Sequence, residues 1–453
     1  MIQTILVAIP GLLALIVCIR YGPERALLDV YLPALMLLPI LSWPISGQLS
    51  FAGTAVLPIA AFLFSKKRSR WEWTSADFLV IGYLLIRAVA EGMNKGYGLG
   101  QNLFIQDACA ILLPYLVVKE MLQDRTFMVA FVKRIVALLV FVAIVSIYET
   151  RMGYDLFKRA FEGIWPPEGN TDNFRFHFKR IEGPYGHAIL AGLMMAIGYR
   201  LARWLDWTGQ WSERMWSLPI SKVRFCELWL VLGSIMTISV GPWVAAAGGT
   251  MVVGAFRARN RKRALTLLAL ATALLLLPVY SAVHDYVSVD PLAADAAGNY
   301  LQEDSAYRGK LLPLYLPLVE ERQAWGWGRN GHPVLDGMTS IDNAYLNIAL
   351  TFGVYALGLF VLLLIWTPIR LIIFELKSRG DSPAASAAYS LLAIYATIAI
   401  ACATVWLGGQ TEIIFFLLVA SSDSLVSKQS SDLTSTDSAL ETPDQFAFRK
   451  VMI

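Results

Sequence analysis

Charge is the first thing that this sequence has little of. Asp, Glu, Lys and Arg together make up 16% of the residues, whereas hydrophobic residues make up 57%. Soluble domains are about 25% charged, so the composition excludes an ordinary soluble protein. It is typical of a polytopic helical membrane protein. The net charge of +4 carries little information, because the placement of the basic residues matters more in such proteins.

Cysteine and the common cofactor motifs are scarce as well. The four cysteines all fall in apolar runs, and no pair has redox or metal-ligand spacing, so we expect small buried side chains. There is no P-loop, no dinucleotide-binding fingerprint, no convincing internal repeat and no sign of nucleic-acid binding. The first apolar run, 5–19, lacks a basic region before it and a cleavage site after it. We therefore expect a retained span rather than a signal peptide.

Long apolar runs are abundant, and a membrane-spanning helix needs about 20 apolar residues. They predict an all-α polytopic membrane protein with 12 or 13 transmembrane helices. The predicted spans lie near residues 3–19, 27–43, 50–65, 77–92, 103–122, 129–149, 186–206, 226–240, 243–257, 264–283, 343–370, 386–406 and 410–426. Together they predict one transmembrane domain over 1–426.

The loops between these spans alternate in charge. Clusters of Lys and Arg recur in every second loop, for example at 66–70 and 257–263, and the positive-inside rule places these loops in the cytoplasm. The outer face then receives two long loops, about 150–185 and 284–342. The tail at 427–453 is rich in Ser, Thr and Asp, without an apolar period. We expect it to be disordered and cytoplasmic.

The second outer loop is the longest polar stretch between spans. Leucines and charged residues alternate around 308–322, which predicts an amphipathic helix lying on the membrane surface. A Trp/Gly turn follows, then basic residues and an Asp-Asn pair at the start of the next span. The first outer loop ends in a basic segment before Gly183-Pro184, which alone could be a collar of snorkelling side chains. All four histidines fall in these two loops or at their edges, so we expect chemistry here.

Arginine and one carboxylate would suffice for chemistry at a diphosphate. The guanidinium makes paired, charge-assisted hydrogen bonds and stays protonated. A diphosphate neutralised in this way leaves without a proton, so the reaction needs only a base for the attacking hydroxyl. The candidate bases are Asp342, Glu320, Glu321, His187 and His332. Asp342 comes first because it lies where the loop re-enters the membrane, although an N-cap of the next helix is the alternative.

Two further features bear on the chemistry of this rim. Trp325 and Trp327 could stack on sugar rings, although tryptophan is also common at membrane interfaces. No Asp-x-Asp pair and no His/Glu cluster occurs at the rim, so we expect neither a divalent metal nor another cofactor.

Three segments resemble the superfamily of O-antigen ligases and of O-antigen and exopolysaccharide polymerases, which are integral-membrane glycosyltransferases. The segment 180–192 reads RIEGPYGHAILAG, and 232–249 reads LGSIMTISVGPWVAAAGG. The third, 307–358, contains the Arg-bearing surface helix, a Gly-x-Gly turn and IDNAYLNIALTFG, in which Gly353 follows Asn343 by ten residues. Two positions differ from the family pattern. Val240 stands where the family has Arg, leaving Arg180 or Arg329 to supply that cation, and Asp342 replaces the His of ligases, as in polymerases.

The resemblance implies a GT-C-like fold and a glycosyltransferase that polymerises or ligates undecaprenyl-diphosphate-linked oligosaccharides. It implies metal-independent, inverting transfer at the periplasmic face of the bacterial inner membrane. Arg308 and Arg180 would hold the diphosphate, and Asp342 would be the base. The residues expected to bind the sugars are His187, Tyr185, Trp325, Trp327, Arg329, His332, Asn343 and Tyr345.

The partners expected from the same resemblance are the lipid-linked donor, a glycan or lipid acceptor, membrane lipids and other polysaccharide-assembly proteins. The alternative function is a transporter or flippase of lipid-linked glycans. It is disfavoured because charges within the predicted spans are sparse and the two halves of the chain do not match.

Overall fold

The computed structural model describes residues 2–38, 49–66, 72–163, 174–175, 177–215, 219–287, 300–335, 338, 340–377 and 383–440. Over these residues the protein is helical, apart from one short antiparallel hairpin. The α-helices are α1 Ile2–Tyr21, α2 Pro23–Ala26, α3 Leu32–Leu37, α4 Phe51–Lys66, α5 Ser75–Lys95, α6 Tyr97–Asp107, α7 Leu113–Met121, α8 Arg125–Met152, α9 Leu156–Arg159, α10 Ala188–Trp207, α11 Lys222–Met236, α12 Val240–Arg257, α13 Arg261–Val287, α14 Tyr300–Glu321, α15 Ala344–Lys377, α16 Pro383–Cys402 and α17 Gln410–Leu440.

Three kinds of short element complete the list. The hairpin pairs β1 (Phe174–Arg175) with β2 (Phe178–Lys179). Leu27–Tyr31 and Ala108–Leu112 are π-helical turns, and Gly183–Tyr185 is a 3₁₀ turn. The prediction of an all-α polytopic membrane protein is confirmed. Every predicted span overlaps a helix, although the end of the second one, at 39–43, lies outside the described residues.

Six helical segments of the described chain are long and apolar enough to cross a membrane. They are Gln3–Tyr21, Tyr97–Met121, Arg125–Met152, Ala188–Trp207, Ala344–Leu376 and Gln410–Ser427. Phe51–Ser65 and Ser386–Cys402 are shorter apolar helices. Helix α10 is the most enclosed of the six, with 89% of its apolar window buried. A helix that is apolar on all sides belongs in the centre of a bundle, and α10 packs there against α8, α11, α12 and α16.

The final helix extends further than its composition suggests. Disorder was expected from 427 onward, but α17 continues to Leu440. Extending an existing helix requires fixing only one residue for each new hydrogen bond, so the packed apolar part of α17 can carry a polar extension. The remainder of the predicted tail, 441–453, lies outside the described residues.

The polar contacts between helices divide between the two ends of the bundle. At the end with the basic loops, Lys119 pairs with Asp77 at 2.5 Å and Arg261 pairs with Glu375 at 2.6 Å. At the other end, the first predicted outer loop contacts the last helix. There, Gln410 donates to the carbonyl of Pro184 at 2.9 Å, which joins the first outer loop to the start of α17. Residues far apart in sequence are thereby gathered at one end.

Cysteine labelling can test which end faces outward. The four native cysteines are buried, so they should give little background. We expect Val334→Cys, at an 81% exposed position, to react with an impermeant maleimide added from outside the inner membrane. Ser212→Cys, between α10 and α11, should react only after that membrane is permeabilised. The opposite pattern would overturn both the topology and the location of the site.

A break in α15 at a glycine provides hydrogen bonds that hold the segment after α14 in place. Gly353 has φ 85° and ψ 176°, which interrupts the helical hydrogen bonds. The freed carbonyl of Leu350 accepts from the N–H of Trp327 at 2.7 Å, and that of Thr351 accepts from Gly328 at 2.9 Å. In return, the N–H of Val354 donates to Gln323 at 2.8 Å. The Gly-x-Gly turn, 326–328, and Gly353 are therefore hydrogen-bonded parts of one structural unit, which we call the joint.

Gly353→Ala should prevent stable folding of this joint. A Cβ there would lie 2.1 Å from the carbonyl oxygen of Ala324. The backbone conformation alone costs a non-glycine residue about 1–3 kcal/mol. We expect much less folded protein in membranes, measured by fluorescence-detected gel filtration. Gly358→Ala, one and a half turns further along α15, meets nothing within 4 Å and should behave as wild type. Equal yields of the two variants would contradict this account of the joint.

Candidate functional site

Arg308 on α14 and Asp342 before α15 form a loose ion pair. Arg308 Nη2 lies 3.6 Å from Asp342 Oδ2, and the side chains are 27% and 13% exposed. Arg308 Nε is buried and has no hydrogen-bond partner among the described residues. The neighbouring residues fix this geometry, because the hydroxyl of Tyr307 donates to the carbonyl of Ser340 at 2.7 Å and accepts from its N–H at 2.8 Å. The guanidinium thus keeps donor capacity for a ligand.

The cap of α15 is the residue after Asp342. The N–H of Leu346 donates to Asn343 Oδ1 at 3.1 Å, and the N–H of Asn347 donates to the carbonyl of Asn343. The alternative that Asp342 serves as the N-cap is therefore wrong. Asp342 instead accepts from the hydroxyl of Ser340 at 2.9 Å and faces Arg308. Its carboxylate therefore lies next to the N-terminus of α15 but does not cap it.

Two buried arginines meet at the turn between α11 and α12. Arg180 donates from Nε to the carbonyl of Thr237 at 3.0 Å and from Nη2 to the hydroxyl of Ser239 at 2.6 Å. Arg175, on β1, donates from Nη1 to the carbonyl of Ile238 at 3.1 Å. Ile238 adopts a left-handed conformation with φ 47°, which turns the chain sharply between the two helices. This turn therefore orients both guanidinium groups.

The pKa of Arg180 shows that cations are crowded here. Burial lowers this pKa to about 10, with Arg175 as the next largest cause and Arg308 adding to it. Glu182 and Asp342 act in the opposite direction. Arg180 stays protonated at neutral pH, so its guanidinium is near two other guanidinium groups, those of Arg175 and Arg308, and near the carboxylates of Glu182 and Asp342. A bound anion would relieve their mutual repulsion.

His187 belongs to the same electrostatic neighbourhood. Its Nδ1 accepts from the N–H of Ile189 at 3.2 Å and caps α10, which assigns the ring proton to Nε2. Burial lowers the pKa of His187 below its usual value, and Asp342 opposes this shift more than any other group. His187 is therefore neutral at pH 7. Four residues singled out from the sequence, Arg180, His187, Arg308 and Asp342, come together around the loop ends.

Comparison with known proteins finds one family that is similar to part of the chain. Residues 226–362 match the family model described as O-antigen ligase. This match supports the resemblance of the chain to the O-antigen ligase and polymerase superfamily. The matched segment contains Arg308 and Asp342, whereas Arg175, Arg180 and His187 precede it. No curated protein sequence matches the chain.

Several residues predicted to bind the sugars make contacts that support the framework. Trp325 accepts from Asn94 through its carbonyl, and Trp327 donates from Nε1 to the carbonyl of Leu318 at 2.9 Å. Tyr345 donates to the carbonyl of Ala399 at 2.8 Å, which ties α15 to α16. Tyr185 is buried in the 3₁₀ turn. The contacts of Trp325 and Tyr345 join distant elements, and the contact of Trp327 joins the turn to the end of α14.

Arg329 and His332 line a different part of the outer end. Arg329 donates from Nη1 to Gln106 Oε1 at 2.9 Å, and its N–H donates to Glu91 Oε2 at 2.7 Å. Its contacts are thus with α5 and α6, and not with the turn at Val240 where the family has an arginine. The expectation that Arg329 replaces that arginine is wrong. Arg180 and Arg175 contact that turn.

Arg175 was missed as a site residue by sequence reasoning. The stretch FRF before His177 and FKR after it alternate aromatic and basic residues, which is the period of a strand with two faces. In the hairpin, Arg175 and Lys179 are buried while Phe174 and Phe178 are exposed. That inverted pattern, with charges inward, was the available signal.

Three buried carboxylates support the turn that carries Arg180. Glu149 accepts from the N–H groups of Glu182 at 3.3 Å and Gly183 at 3.1 Å, and Asp155 lies beside them. Among the described residues these three offer oxygens within 4.8 Å of one another, a spacing that could hold a metal ion. Lys158 pairs with Glu182 at 2.5 Å and already supplies a positive charge. The cluster therefore serves to position the loop.

Proposed function

We propose that this protein is a bacterial inner-membrane glycosyltransferase that polymerises or ligates undecaprenyl-diphosphate-linked oligosaccharides. The observation that carries the proposal is a group of charges in which Arg308 faces Asp342 and in which Arg180 lies close enough to Arg175, Arg308 and Asp342 for their charges to shift its pKa. The match of residues 226–362 to the O-antigen ligase family supports a ligase or polymerase type of activity. Lipid-linked glycans and membrane lipids are its partners, together with a glycan or lipid acceptor and other polysaccharide-assembly proteins.

The donor's diphosphate is the anion that this group of arginines fits. Arg180 and Arg308 grip it with paired, charge-assisted hydrogen bonds, and Arg175 adds a third positive charge beside Arg180. The unpaired Nε of Arg308 supplies one of the donors. Because the site is partly enclosed, each contact is stronger than it would be in water.

Asp342 is the base in this mechanism. The acceptor oxygen forms a bond to the anomeric carbon of the donor sugar, and the bond from that carbon to the diphosphate oxygen breaks. The diphosphate leaves with the electron pair, stabilised by the arginines, and the hydroxyl proton passes to Asp342. When the diphosphate binds Arg308, the carboxylate loses its resting partner and becomes available for the proton. Direct displacement inverts the anomeric carbon, and the chemistry uses no metal.

The reaction takes place at the periplasmic face in this proposal. The support is the alternation of basic loops, which assigns the end containing Arg308 to the outside. Lipid carriers enter from the surrounding bilayer, and their head groups reach the arginines at the rim.

The lipid-linked glycans of a deletion strain test the function. A missing polymerase leaves single repeat units on undecaprenyl diphosphate, exposed at the periplasmic face. A missing ligase leaves finished polymers on the same carrier. Repeat units confined to the cytoplasmic face would instead indicate the alternative, a flippase. A lipid-linked pool identical to that of wild type would contradict the proposal.

A further inference from the structure

A long groove begins beside the candidate site and runs into the bundle. One cavity of about 350 Å³ is lined by Ser340 and Ile341, the two residues before Asp342. A second cavity of about 420 Å³ reaches Arg87 and Glu412. The two cavities have four residues in common, so they are parts of one groove. These shared residues are Asn330, His332, Asn347 and Trp406.

The walls of this groove offer the groups that bind sugars. Trp406, between α16 and α17, is 36% exposed, and a Cβ at Gly408 would lie 1.6 Å from its ring. The indole thus rests on bare backbone, which fixes its position. Asn330 and Asn347 add amides that can both donate and accept. An aromatic ring for the apolar face of a pyranose, with amides for its hydroxyls, is a combination suited to glycans.

Charged groups at the deep end are held in place. Arg87 is buried and lies 3.2 Å from Asp107, and it also pairs with Glu412. Its guanidinium rests 4.9 Å from the ring centroid of Phe352. The Glu412 side chain is 21% exposed, so part of its carboxylate remains open to the groove. Buried ionisable groups within a membrane domain commonly mark a functional path.

We propose that this groove binds the glycan chain of the acceptor. The inference rests on the proposed function, in which the donor's diphosphate occupies the arginines and the acceptor hydroxyl must reach Asp342. The groove ends at Ser340, whose hydroxyl donates to Asp342 at 2.9 Å. A chain lying along Trp406 therefore presents its terminal sugar to the base. Glu412 accepts hydrogen bonds from hydroxyls of an inner sugar, and Arg329 donates to them.

The test measures binding apart from transfer. The probe is the glycan that mild acid releases from the lipid-linked intermediates that accumulate in the deletion strain. Its affinity for purified full-length protein in nanodiscs is measured by calorimetry. We expect Trp406→Ala and Glu412→Gln each to raise the dissociation constant at least tenfold. Trp406→Tyr should restore most of the affinity, because it restores an aromatic face.

The matched control is Trp366→Ala. Trp366 is also 36% exposed, but its Nε1 donates a hydrogen bond to the hydroxyl of Ser75 at the basic end of the bundle. Because this end is far from the groove, the loss of Trp366 should leave the affinity unchanged. Asp342→Asn should bind the probe as wild type does and fail to transfer. Unchanged affinity in both Trp406→Ala and Glu412→Gln, or no binding by wild type, would overturn the groove proposal even if transfer occurs. Binding by wild type without any transfer would instead overturn the proposed function.

Discussion

Arg308→Ala should abolish detectable polymer, and Arg308→Lys should be severely impaired. Lysine keeps the charge but loses the planar fork that grips a diphosphate, while alanine loses both. Losing one positioned contact at developing negative charge costs about 3–4 kcal/mol, or roughly 10² to 10³ in rate. The measurement is polymer yield at matched expression in membranes. Both variants should still fold, because the ion pair between Arg308 and Asp342 is loose, at 3.6 Å, and partly exposed.

Arg322→Lys is the control for this prediction. Arg322 follows α14, about 21 Å from Arg308 along a helix, and its guanidinium lies 4.2 Å from the ring centroid of Trp327. A lysine can make the same cation–π contact, so its polymer yield should match wild type. Wild-type yield from Arg308→Lys would show that Arg308 only snorkels at the membrane surface. Arg175 and Arg180 would then remain as phosphate ligands.

Asp342→Asn should remove transfer while leaving the fold intact. Asparagine keeps the size and an oxygen that can accept from Ser340, but it cannot take the proton from the acceptor hydroxyl. General bases contribute about 10² to 10⁴ in rate, so we expect a loss in that range. The measurement is the initial rate of transfer by purified protein, with folding checked by gel filtration.

Glu320→Gln is the matched control for Asp342→Asn. Glu320 was an alternative base from the sequence, but its side chain is exposed on α14, about 18 Å along the helix from Arg308. Its rate should equal that of wild type. Near-wild-type transfer by Asp342→Asn would exclude Asp342 as the base, and loss of transfer in Glu320→Gln would redirect the search to α14.

The helices and the location of the site follow from local patterns, and so could be predicted. Apolar runs specify spans, and charge alternation groups the outer loops, which places Arg180, His187, Arg308 and Asp342 at one end. Their proximity depends on how the loops fold over the bundle, and the sequence indicated such folding but not its geometry.

The details that escaped prediction depend on contacts between distant segments. Arg175 donates to the carbonyl of Ile238, and although the local alternation indicated that Arg175 faces inward, it could not indicate a partner 63 positions away. Trp406 and Glu412 line a groove with residues near 330 and 347, although they read as parts of apolar spans. Sequence alone did not show that Trp327 and Tyr345 also support the framework, because sugar binding at a rim and support of a framework use the same residue types. Which role each takes is decided by its partner.

Transfer by the purified protein tests the central claim most directly. The protein is reconstituted in nanodiscs with the undecaprenyl-diphosphate-linked repeat unit and its acceptor, with EDTA present throughout. If the arginines neutralise the diphosphate, one undecaprenyl diphosphate should be released for each glycan extended. The rate should be the same with and without the chelator. Loss of transfer in EDTA, restored by Mg²⁺ or Mn²⁺, would show that a metal neutralises the diphosphate and would contradict the mechanism.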